Sequence, residues 1–191
     1  MHLYDIRKSI ALELDDNALI NYCTINKQNY EMCSDRTFWK SVFDKYNLPF
    51  HDLNFSDAVE WINEFIRVKK SYDNMDFIVN KIIDGGNMVI ETNDGRVKYN
   101  KFSKLFNSMA ITISDYNDGY AFEYAMQHPS EVFVAGVFVG KSKRLGKFYI
   151  DIQINPLNQF NEFEINFMMN EKQLRDFLYN AFYNDLLELL L

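Results

Sequence analysis

The chain has 191 residues, 48% of them hydrophobic and 16% aromatic, enough for one domain with a sizeable core plus a small appended module. Its formal charge of -7 argues against a general nucleic-acid binder, because neutralising phosphates takes a concentrated basic surface. No apolar run approaches the roughly eighteen residues of a membrane helix, and Met1-His2-Leu3-Tyr4-Asp5 lacks the basic start and apolar core of a signal peptide, so an intracellular address is expected.

Ile6, Ile10 and Leu14 recur every fourth residue and therefore line one side of a first helix. Asp15, Asp16 and Asn17 interrupt the pattern with short polar side chains that cap helices well. They predict a second helix whose buried side is Leu19, Ile20, Tyr22, Cys23 and Ile25. The polar stretch Asn26-Lys27-Gln28-Asn29 reads either as a turn or as the exposed end of that helix, and Tyr30, Met32 and Cys33 resume the apolar contacts. Ser34-Asp35 is another start signal, after which Phe38, Trp39, Val42 and Phe43 form a short helix with an aromatic face. Cys23 and Cys33 are the two cysteines, and without a Cys-x-x-Cys pairing they are expected as buried thiols rather than a disulfide or a metal site.

The order of these residues resembles the F-box, the adaptor motif of cullin-based ubiquitin ligases, in the divergent form found in large nucleocytoplasmic DNA viruses. Asp5, Ile6, Ile10 and Leu14-Asp15 match the opening of that motif, and Leu19, Ile25, Asn26-Lys27 and Asp35-Arg36-Thr37-Phe38-Trp39 match its continuation without a gap. Leu3 stands where the family has Pro, and Asn29-Tyr30 replaces the usual aromatic or basic step. The resemblance covers residues 2–43. It implies a three-helix module that docks a Skp-type adaptor, with Ile6, Ile10, Leu14, Leu19, Ile25, Phe38 and Trp39 as the partner-binding positions.

Beyond Phe43, Pro49 disfavours helix and Ser56-Asp57 can cap a new one, in which Ala58, Val59, Trp61, Ile62, Phe65, Ile66 and Val68 repeat at helical spacing. Trp61 is expected to pack at the junction, and Lys69 to Met75 to form a flexible join. Met88–Thr92 and Arg96–Phe102 flank Asn93-Asp94-Gly95 as a hairpin would, and Ala110–Asp115 and Tyr120–Ala125 flank Asn117-Asp118-Gly119 in the same way. Glu131–Val139, Phe148–Ile154 and Glu162–Met168 complete an antiparallel sheet of about five to seven strands. Between two of these runs, Lys141, Lys143, Arg144 and Lys147 read first as a solvated hairpin loop and second as a contact for acidic protein or phosphate. Asn170 and Gln173 have capping-box spacing at the head of a last helix with Leu174, Phe177, Leu178, Ala181, Phe182 and Leu186 on one side. Leu186, Leu187, Leu189, Leu190 and Leu191 leave an apolar end that reads first as tucked into the core and second as a contact for a partner.

The sequence offers little chemistry. His2, His51 and His128 are far apart, Gly85-Gly86 and Gly136-x-x-x-Gly140 lack the surroundings of a phosphate loop, and Asp115, Asp118 and Glu123 lack EF-hand spacing. No catalytic residue, cofactor or metal ligand is therefore assigned. The expected class is α+β, with a helical module at 1–50, a linking helix and join at 51–75, and a partner- or substrate-binding α+β domain at 76–191. The expected function is a non-catalytic adaptor between a Skp-type protein and its cullin ligase on one side and a target on the other. The alternative is a viral structural or assembly protein that binds other virion proteins. The Asn-, Ile-, Lys-, Phe- and Tyr-rich composition looks like the bias of an AT-rich genome, which fits a viral or protist source and does not bear on mechanism. Neither a nucleic-acid nor a membrane partner is expected.

Overall fold

A computed structural model describes residues 3–92, 97–98, 101–102, 104–105, 127–128, 131–156 and 163–189. The chain divides into two compact units, Met1–Lys70 and Ser71–Leu191, and its class is α+β as expected. The 110–115 and 120–125 strands and both Asn-Asp-Gly turns lie outside the described residues.

In the first unit, α1 (Leu3–Glu13), α2 (Asp16–Thr24), α3 (Lys27–Cys33) and α4 (Arg36–Lys45) precede the start of α5 (Ala58–Ile83). Asp15 caps α2 by accepting from the Ala18 amide, and Asp35 caps α4 by accepting from Thr37, as their positions predict. The module has four short helices rather than three. Asn26 makes the difference: its side chain accepts from the Asn29 amide, so the stretch read as a turn or helix end begins α3. The reversal brings Cys23 and Cys33 to a Cα–Cα distance of 5.6 Å, where they form a disulfide instead of the two thiols expected. The expected join at 69–75 is likewise corrected, because α5 runs without a break from Ala58 to Ile83 and the boundary between units falls within it.

In the second unit, β1 (Met88–Thr92), β2 (Val97–Lys98), β3 (Val132–Lys141), β4 (Phe148–Pro156), β5 (Phe163–Met169) and β6 (Leu187–Glu188) form one antiparallel sheet, and α6 (Glu171–Tyr183) packs on it. The strand order is β5-β4-β3-β1-β6. β1 and β2 do not pair as a hairpin: Glu91 lies opposite Gly136 and Val97 opposite Val134, so the two follow one another along the same edge of β3. Hydrophobic register explains this, since Ile90 then shares the buried face with Val137 and Val139. Ile150, Ile152 and Ile154 of β4 and Ile165 and Phe167 of β5 extend that face. It is covered by Ile78, Val79 and Ile82 of α5 and by the predicted stripe of α6. The Asn170–Gln173 capping box is formed in both directions, and Leu186 and Leu187 are buried.

On the opposite sheet face, Asp151 has an enclosed Oδ1 without a hydrogen-bond partner. Burial, reinforced by Glu164, pushes its carboxyl up from 3.8 to about 6. The folded state thus holds this proton more tightly than the unfolded chain. Its contribution is complete below about pH 4 and is lost as pH rises through about 6. Asp151→Asn should lack that loss, so urea midpoints measured from acid to neutral pH should diverge in favour of the variant as pH rises.

Candidate functional site

The sequence marked seven partner-binding positions, and the structure separates them. Leu19, Phe38 and Trp39 are interior, so these three belong to the chain's own core and are withdrawn as contact residues. Their aromatic and apolar spacing was real, but it served internal packing. The indole of Trp39 stacks on Trp61 at 6.5 Å and meets Phe65 at 5.7 Å and Phe38 at 5.5 Å, while its Nε1 donates to the Cys33 carbonyl. Phe50 and Phe55 close on Trp61, whose Nε1 donates to Phe55 O. His51 Nδ1 lies 2.9 Å from the buried Glu64 carboxylate, and Tyr30 donates to Asp57, tying the 46–57 segment and α3 to the head of α5.

Of the four remaining positions, Ile6, Ile10 and Ile25 are exposed. Leu3, Ile6 and Ile10, at i, i+3 and i+7, share a face of α1 and are 63%, 40% and 49% exposed. Ile25, at the turn between α2 and α3, is 73% exposed, and Leu14 is half-buried. The helix is therefore turned opposite to its hydrophobicity: its one fully buried residue is Ala11. Polar straps explain the choice. Tyr4 Oη donates to Asp35 Oδ2 at 3.1 Å, Arg7 Nη2 to Gln28 Oε1 at 2.5 Å, and both Lys45 Nζ and Tyr46 Oη to the Leu14 carbonyl.

These straps are tuned by their surroundings. Burial raises the Tyr46 hydroxyl, with Asp16 adding to it, and burial followed by Asp35 raises Tyr4, so both stay protonated donors. Burial alone would raise Asp35, but hydrogen bonds from Thr37 and Tyr4 outweigh it and hold the carboxyl below its usual range. Tyr4, Arg7, Gln28, Glu31 and Met32 line a shallow depression of about 220 Å³ beside the straps. That is smaller than the clefts that enclose small molecules, so it suits a contact seam better than a ligand cavity.

Among the described residues, no group of three or more His, Cys, Asp or Glu side chains could hold a metal ion, and no helix is long and apolar enough to cross a membrane. The site that sequence reasoning missed was structural: the disulfide, whose ten-residue separation gives no signal without the α2–α3 reversal. No protein-family model, curated protein or solved structure matches this chain.

Two stability outcomes follow from this arrangement. Trp39→Ala should cost the helical unit about 3–5 kcal/mol by denaturant titration, as expected for a fully buried indole. Reducing the Cys23–Cys33 bond, which closes a short loop, should cost about 2–3 kcal/mol, read as a lower urea midpoint with reductant and no further effect in a Cys23→Ala/Cys33→Ala variant.

Proposed function

We propose that this chain is a non-catalytic adaptor, in which α1 to α4 dock a Skp-type protein and the α+β unit presents a target to a cullin-based ubiquitin ligase. The observation that carries the reading is the outward apolar stripe of Leu3, Ile6 and Ile10, with Ile25 on the neighbouring turn. Water-exposed isoleucines at helical spacing, on a helix held by hydrogen bonds on its other side, are the surface expected of a ridge that enters a partner's groove. Its mechanism is proximity, and the F-box resemblance supplies the partner class.

A specific observation favours the second reading, a structural or assembly protein of a virion. Disulfides persist in oxidising surroundings such as particle surfaces and are rare where cytosolic thiols keep cysteines reduced, and Cys23 and Cys33 are bonded here. In that case the same stripe would meet another virion protein.

The decisive substitutions lie on the surface and not in the core. Ile6→Asp with Ile10→Asp should weaken capture of a Skp-type adaptor by roughly a hundredfold, since central apolar anchors dominate such interfaces. The thermal midpoint should be unchanged. A folded double variant that captures the adaptor as well as the parent overturns the adaptor reading, and capture of virion proteins alone selects the second.

A further inference from the structure

We propose that the β3–β4 hairpin tip is a docking finger for an anionic lipid surface, a role outside both readings above and contrary to the expectation of no membrane partner. Lys141, Lys143, Arg144 and Lys147 are exposed within seven residues, and the tip contains no carboxylate. None of the four takes part in an ion pair among the described residues.

The tip is built rather than loose. The Ser142 amide donates to Lys147 O at 2.8 Å, the Gly146 amide to Ser142 O at 2.9 Å, and the Leu145 amide to Ser142 Oγ at 3.3 Å. Gly146 supplies the positive φ of 63° that closes the loop. Backbone groups of the turn are thus paired while Lys143, Arg144 and Lys147 stay exposed, and the Lys141 ammonium rests over the Phe148 ring at 5.4 Å. Between the cations stands Leu145, 53% exposed.

That combination selects the occupant. With Lys141 and residues 143–147 exposed, the tip offers open surface and not an enclosing cleft for a small anion, and a bilayer interface accepts such an exposed loop. A phosphate backbone would use the four cations but has no place for Leu145. A membrane takes both, with the apolar side chain entering the headgroup boundary and the cations meeting acidic headgroups. Setting aside the tip's four cations leaves the rest of the chain at -11 against the net -7, so acidic headgroups are attracted locally, within a Debye length of about 8 Å of the tip, and not by the chain as a whole.

The test uses the full chain and sedimentation with vesicles of phosphatidylcholine, with and without about 30% phosphatidylserine. Binding should require phosphatidylserine and be released by roughly 0.5 M salt. Each cation is worth about fivefold in partitioning, so Lys143→Glu with Arg144→Glu should weaken binding by at least about thirtyfold. Leu145→Ser, which leaves the charge intact, should weaken it by about tenfold. Circular dichroism should be unchanged in both. Absence of phosphatidylserine-dependent sedimentation, equal sedimentation of the charge-reversed variant, or tighter binding to duplex DNA than to the vesicles would overturn the proposal.

Discussion

The helical unit is organised around the indole of Trp39, which is buried against Trp61, Phe65 and Phe38 and donates its one polar hydrogen to Cys33. Short helices bury little of one another, so their positions are set less by propensity than by a shared large side chain. Trp39 provides that link because its ring reaches α5 while its Nε1 reaches the end of α3. Cys33 is fixed a second time by its bond to Cys23. The same residue is thus tied to α2 by a covalent link and to α4 by a hydrogen bond.

With the aromatic side chains of α4 committed inward, the apolar stripe of α1 remains at the surface. The inner side of α1 is closed by the small residue Ala11 and by hydrogen bonds from Tyr4, Arg7, Lys45 and Tyr46. Inverting the helix would bury Ile6 and Ile10 at the expense of these hydrogen bonds, which lie at the exposed or half-buried margin of α1. The exposed ridge is consistent with a chain whose hydrophobic surface is completed by another polypeptide.

Much of the fold was legible because its signals are local. Asp15, Asp35 and Asn170 were readable as caps, the stripe from Leu174 to Phe182 as a helix face, and the alternation of Ile150, Ile152 and Ile154 as a strand half in the core. The misreadings were all non-local. Asn26 is as good a cap as a turn residue, and only the return of α3 beside α2 decides which it is. Asn93-Asp94-Gly95 looked like a hairpin, yet β1 and β2 both pair with β3, some forty residues away. The disulfide depends on the same kind of distance. The seven partner-binding positions follow from the F-box resemblance, which matches apolar positions without saying which face of each helix points inward, and so it groups the buried Leu19, Phe38 and Trp39 with the exposed Ile6, Ile10 and Ile25.

The division between a buried Trp39 cluster and an exposed α1 ridge is the central claim, and hydroxyl-radical footprinting of the native chain with peptide-level mass spectrometry tests both halves at once. Trp39 and Trp61, although intrinsically the more reactive side chains, should be strongly protected, while Leu3, Ile6, Ile10 and Ile25 are oxidised at a substantial fraction of their unfolded-peptide rates. Rapid oxidation of Trp39 together with protection of Ile6 and Ile10 would contradict it.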